Sequence, residues 1–377
     1  MPSESTLTGT TTTSEGLPTA QTGPGQIVET TDSTGLPIKQ GVSIAPIPSQ
    51  VAQGGLTEVK TISHLPSLNP DLDSNGSSVK YYSQTDGKFY KVNQNGETIL
   101  MTDKVFYQAQ NIVWSPKDDR AILEYPDGSN IIYNFSTDEQ ITLPAHWKDF
   151  DFSPNGSQIV MKSIGLDPDN RWLAITNEDG SKAQKIEALG EKDSTVYPSW
   201  QPNNQSIAMY TEGVDFDRQE VYFVGLHGEN FKSTVIEGRG FQSQWTPEGN
   251  RLLYSVYSSD NDLKPMLWVV NAEGDSIGSN RKSLNIETWA DKCVFANNTE
   301  LYCAVPEKLE KGSGLFPEMA NDTKDNLYKI DTRTGLKKLI AITDNDYTMS
   351  NLILSNNEKY LYFTDEEDSS LHQIKLK

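Results

Sequence analysis

A short phrase recurs seven times along this chain. An apolar run ends in an aromatic residue or leucine, then a small or polar residue follows, usually with Pro or Asn next. A turn and a second apolar run complete it. The copies are Ser67-Leu68-Asn69-Pro70, Val113-Trp114-Ser115-Pro116, Asp151-Phe152-Ser153-Pro154, Ser199-Trp200-Gln201-Pro202, Gln244-Trp245-Thr246-Pro247, Val294-Phe295-Ala296-Asn297 and Ile353-Leu354-Ser355-Asn356. Counted between the anchors at 68, 114, 152, 200, 245, 295 and 354, the spacings are 46, 38, 48, 45, 50 and 59 residues. Self-similarity at roughly 40–50 residues is the mark of propellers and solenoids. No window sustains a 3.6-residue period, which excludes a helical solenoid.

Each anchor begins a four-strand pattern. In the second copy the runs 111–115, 120–125, 130–135 and 140–143 are short and rich in Val, Ile, Leu, Tyr and Phe, as strands buried between stacked sheets are. Ser-Pro-Lys-Asp-Asp, Pro-Asp-Gly-Ser and Ser-Thr-Asp-Glu separate them as turns. The seventh copy supplies three strands and the chain ends. An apolar segment ahead of the first copy, Leu56–Ile62, stands where a fourth strand belongs in this order. Pairing it with Leu371–Leu376 closes a ring and removes exposed sheet edges. The expected fold is an all-β, seven-bladed β-propeller over residues 56–377, with a six-bladed ring as the alternative.

Trp-Ser-Pro, Phe-Ser-Pro-Asn-Gly and Trp-Thr-Pro-Glu-Gly, each followed by an apolar strand, resemble the repeats of TolB-type, WD40-like β-propellers. The resemblance implies a propeller of the bacterial envelope or surface. It implies no particular task, because these residues hold neither the α/β domain that precedes the TolB propeller nor an α/β-hydrolase domain.

Composition sets the chain's limits. Of the first 55 residues 31 are Gly, Pro, Ser or Thr, and the first aromatic of the chain is Tyr81. Such a stretch cannot offset its ordering entropy, so 1–55 is expected to be a disordered linker. A Ser/Thr/Gly stalk of this kind tethers domains to membranes. The expectation is that a natural N-terminal anchor has been trimmed and Met1 added; the other reading is a natural start with a floppy tail. No run of 18 apolar residues is present. The formal net charge of −20 excludes a nucleic-acid footprint, which needs basic residues. It favours cationic partners or calcium over anionic lipid.

Few residues suggest chemistry. Gly274-Asp275-Ser276-Ile277-Gly278 fits the G-x-S-x-G pattern, but it occupies a hairpin turn shared by the blades, and only His372 follows it. Asp71-Leu72-Asp73-Ser74-Asn75-Gly76 opens like a calcium loop, with Asp71, Asp73 and Asn75 as candidate ligands. Its ninth and twelfth positions are Val79 and Tyr82, so the other reading is a solvated turn. No further cofactor is expected. Folding the sixth A–B hairpin about Asn298 sets Cys293 opposite Cys303, within reach of a disulfide; the other reading is two buried thiols, and a disulfide would imply an oxidising compartment.

The strongest binding candidate is a face. In a propeller the D–A and B–C connections lie together around the central opening. Here they carry Trp147, Tyr197, Arg239, Phe241, Trp289 and Tyr347, with Arg171 and Arg218 among acidic residues. Aromatic residues with Arg are typical interface anchors; the other reading is that the aromatics pack blade against blade. The functional expectation is a monomeric, non-enzymatic, extracytoplasmic propeller that binds a protein, peptide or glycan on this face. The alternatives are a hydrolase or lyase working at the channel mouth, for which Asp217, Arg218, Arg239 and Asp291 are the visible acid–base candidates, or a structural component of the envelope.

Overall fold

The computed structural model describes residues 27–31, 37–41 and 46–377. Ile27–Thr31 and Pro37–Gly41 pair as an antiparallel hairpin; the rest of the expected linker up to residue 45 lies outside the described residues. The compact unit begins at Pro48, ahead of the boundary expected at residue 56. Residues 49–54 are already tied to it, through Ser49 N to Leu56 O, Ala52 N to Lys375 O and Gly54 N to Ile340 O.

Seven antiparallel sheets follow one another as seven blades. In blade two the strands are Asn111–Trp114, Arg120–Glu124, Asn130–Asn134 and Glu139–Leu143, here A to D from the channel outwards. The ring closes as expected, with one refinement. Val59–Ser63 pairs antiparallel with Leu371–Lys375 as strand D of blade seven. Gly55–Thr57, which includes part of the segment assigned to that closure, instead adds a fifth, parallel strand to blade six. The chain crosses from one blade to the next at Glu58. Asp344 fixes this crossing, its N–H donating to Thr57 O and its carboxylate accepting from Val59 N at 3.2 Å.

The blades pack through apolar clusters that join neighbours. The repeat anchors sit in these seams. Trp114 of blade two is buried edge-on to Phe89 of blade one, with ring centroids 5.6 Å apart. Its indole N–H reaches back to Asn69 O at 2.7 Å. Trp245 reaches back in the same way, to the Ser199 hydroxyl of blade four. Side chains also grip the next blade's inner strand: Asn69 takes Ile112 N, Asp151 takes Trp200 N and Asp325 takes Met349 N. The turn after each anchor is tight. At Gly249 the backbone has φ +73°, and a Cβ there would stand 2.9 Å from Asn203 N of the preceding blade, so glycine is required on both counts.

Cys293 and Cys303 are directly opposed in the A–B hairpin of blade six and form a disulfide, with a Cα–Cα distance of 4.1 Å. Among the described residues no helix is long and apolar enough to cross a membrane.

Candidate functional site

Strand A of each blade is reached through its D–A connection, so these connections and the B–C turns share one end of the ring. Residues distant in sequence but equivalent in topology therefore meet there. Between blades five, six and seven they enclose a small pocket of about 80 Å³, lined by Gln242, Trp289, Asp291, Lys292, Pro317, Ala320, Asn321 and Glu366.

The pocket wall is built from blade six. A short 3-10 turn, Ala290–Lys292, leads into strand A. Blade five holds it: Ser255 Oγ accepts Ala290 N at 3.0 Å, and the Gln244 amide donates to Ala290 O and Cys293 O. The disulfide at Cys293 follows directly, so the turn is braced at both ends. Lys292 is buried and forms an ion pair of 2.7 Å with Asp325, which is wholly buried. Burial pushes the Asp325 carboxyl up to about 6 despite the ammonium beside it. Burial likewise raises Asp291 and Glu366. One lysine thus stands among three carboxyl groups that are reluctant to ionise, with the Trp289 ring as one wall.

The eight side chains expected to bind are distributed unevenly over this end. Trp289 is only 7% exposed, packed with Leu309 and Ala320, and meets solvent through the pocket. Trp147 is buried in the seam between blades two and three. Tyr347 is buried against Phe363 and His372, and Phe241 is half-buried against Tyr254. Arg171 pairs with Asp193 at 2.9 Å. Arg239 braces the turn of blade four by donating to Asp215 O and Arg218 O. Tyr197 and Arg218 remain open to solvent, Arg218 already paired with Asp215. Asp217 accepts from Ser259 N and Oγ at 2.7 and 2.6 Å, so it serves as a clip between blades four and five.

Other side chains on the same end are the exposed ones. Leu166 stands on the B–C turn of blade three, Val214 and Phe216 on that of blade four, and Leu315, Phe316 and Met319 on the long insert of blade six. Val105 and Tyr107 lie on the D–A connection leading into blade two. With Tyr197 these are nine of the thirteen large apolar side chains exposed among the described residues. That segregation separates this end from the other. The turns of blades four, five and six are also stitched into one ridge: Asp217 holds Ser259, and Gly312 N and Gly314 N donate to Asp262 O and Leu263 O. Tyr197 was among the expected binding residues; Leu166, Val214, Phe216, Leu315, Phe316 and Met319 were not singled out, because each lies within a polar or acidic loop. The apolar Val-Asp-Phe-Asp and Gly-Leu-Phe-Pro runs inside turns were the available signal.

The calcium-like loop is the A–B turn of blade one. The Asp73 carboxylate accepts Ser77 N and Ser78 N and lies 3.8 Å from Lys91. Asp71 is 3.9 Å from Lys80, and Asn75 is exposed. Protein ammonium groups thus already face both carboxylates. Gly274–Ser276 is a 3-10 turn whose Ser276 hydroxyl donates to Glu273 O.

A different cluster has metal-ligating chemistry. Asp365, Asp368 and His372, on the B–C hairpin of blade seven, place one ligand atom each within 4.8 Å of one another. His372 is buried, and burial pushes its imidazole down to about 4.

No protein-family model matches the chain, and no curated protein matches it in sequence. Its likeness to solved structures is one of fold. An oligogalacturonate lyase in complex with manganese superposes with a TM-score of 0.57 at 14% identity, covering 94% of this chain and 97% of that one. The tricorn protease gives 0.54 at 12% identity, over 91% of this chain and 36% of the protease. The β-propeller domain of Cps50 (Swd1) from Myceliophteria thermophila gives 0.52 at 10% identity, over 85% and 100%.

Proposed function

We propose that this chain is a non-enzymatic, extracytoplasmic binding propeller that engages a protein or peptide segment on the end carrying the D–A and B–C connections. The observation that carries the reading is the concentration of exposed apolar side chains there, on loops held rigidly by the ring. Solvent-exposed apolar clusters on one surface of a soluble scaffold mark interaction sites. The net charge of −20 and the carboxyl groups at the mouth favour a segment carrying basic side chains. The disulfide supports a non-reducing compartment, consistent with an envelope or surface setting.

The test is capture of partners from envelope extracts by the wild-type chain and by Phe216→Asp and Phe316→Asp. Both positions are exposed, at 69% and 52%, so the variants are expected to melt like wild type. Loss of a captured partner in both supports the reading. Undiminished capture by both refutes it.

A second reading, an acid–base enzyme of the hydrolase or lyase class, is favoured by one observation. Raised carboxyl groups beside a buried lysine at a channel mouth are what general acid–base chemistry uses. Turnover of oligogalacturonate, the substrate named for one structural neighbour, is the first assay. Turnover abolished by Asp291→Asn and by Glu366→Gln would establish this reading over the first.

A further inference from the structure

We propose that Asp365, Asp368 and His372 form a binding site for a divalent first-row transition-metal ion on the B–C hairpin of blade seven. The placement follows from register. His372 lies opposite Phe363, and directly opposed residues share a face of the sheet, as do residues two apart on one strand. Asp365, two residues beyond Phe363, is therefore diagonal to His372 on the same face, and Asp368 closes over them from the turn. Two ligands are buried and the third is exposed, which leaves a route in from solvent.

The supporting contacts are those a metal site needs. His372 Nδ1 is 3.2 Å from Thr61 Oγ1 on the closing strand, so it can donate there and turn the Nε2 lone pair inward. Orientation through the remote ring nitrogen is how ligating histidines are commonly fixed. The imidazole stacks on Phe363 with centroids 5.2 Å apart. Asp365 is held by Thr348 N at 3.1 Å and Asp368 by Ser370 N at 2.8 Å. The Ser370 hydroxyl lies 2.6 Å from His372 Nε2; an incoming ion takes its place as the serine rotates. Ligands about 2.1 Å from a tetrahedral ion stand roughly 3.4 Å apart, which small carboxylate rotations reach from the present spacing.

An independent contrast singles out this cluster. The carboxylates of the calcium-like loop each face a lysine. Among the described residues no Lys or Arg comes within ion-pair distance of Asp365 or Asp368, although Glu366 and Glu367 lie between them in sequence. One imidazole nitrogen with two carboxylates suits zinc, manganese or cobalt(II) better than calcium, which takes six to eight oxygens. Because His372 also touches the closing strand, the ion would bind the folded ring more tightly than the open chain.

The experiment is calorimetric titration of the chelator-treated full chain with zinc, manganese, cobalt(II) and calcium chlorides, alongside melting curves and the cobalt visible spectrum. One ion per chain, a raised Tm and a cobalt d–d band are expected. Asp368 is in an exposed turn, so Asp368→Asn is expected to fold as wild type and to bind at least about tenfold more weakly. His372→Ala is expected to abolish the cobalt band, while Asp71→Asn leaves it unchanged. Absence of stoichiometric binding, binding by Asp368→Asn equal to wild type, or preference for calcium over all three ions would each overturn the proposal.

Discussion

Replacing Lys292 by methionine tests the electrostatics of the mouth, because it removes the ammonium from a wholly buried carboxyl group at nearly constant side-chain size. In the wild type Asp325 titrates at about 6 rather than its ordinary 3.8. A raised acid costs stability when it is ionised. That cost is absent below about pH 4, grows as pH rises to about 6, and then stays near 3 kcal/mol, at about 1.4 kcal/mol per unit. Without Lys292, 2.7 Å away, the folded value rises further. Were the carboxylate forced to stay charged, the loss would be about 3–5 kcal/mol. It can take up a proton instead, which caps the penalty. With the folded value driven further up, the group stays protonated at neutral pH, and the cost relative to the unfolded chain goes on growing with pH. The variant should therefore lose on the order of 1 kcal/mol at pH 7, more at pH 8 and close to nothing at pH 5. Urea unfolding at the three pH values measures this. Adding Asp325→Asn to Lys292→Met should flatten the added slope. An equal loss at all three pH values would show that Lys292 acts through packing and that the charge argument is wrong.

Three further outcomes are expected. Mass analysis after alkylation should show no free thiol in protein kept oxidised, and reduction should cost roughly 2–3 kcal/mol, since the bridge closes a short loop. Deleting residues 1–47 should leave Tm unchanged, whereas deleting 1–63 removes strands from blades six and seven and should lower Tm by many degrees; equal melting of both truncations would contradict the observed closure. Trp114→Ala should cost roughly 3–5 kcal/mol because it empties the seam between blades one and two, while Phe216→Asp should change stability by less than about 0.5 kcal/mol; guanidinium unfolding of the pair checks both.

The seven blades, their closure from the N-terminal side and the Cys293–Cys303 bridge were legible in the amino-acid order. Each rests on local chemistry: alternation along short strands, Pro and Gly in turns, and a hairpin whose register follows from its turn. A strand assignment needs only neighbours a few residues away. Even so, the hand-over of Gly55–Thr57 to blade six was not legible, because it depends on which sheet edge lies alongside. The site was less visible still. Whether an aromatic faces solvent or a seam is decided by the adjoining blade, so Trp147 and Tyr347, conspicuous in sequence, are buried, while Phe216 and Phe316 stand exposed. Asp291, Asp325 and Glu366 share no local motif. Only the ring brings them to one mouth, since Asp291 and Asp325 come from two connections of blade six and Glu366 from the B–C turn of blade seven, and burial in the assembled ring raises all three. Asp365, Asp368 and His372 are near in sequence, but the sheet register that puts them on one face exists only once strands B and C have paired. Sequence determined the strands and their order; tertiary packing decided which side chains water and ligands can reach, because burial belongs to the assembled ring and not to any one of its strands.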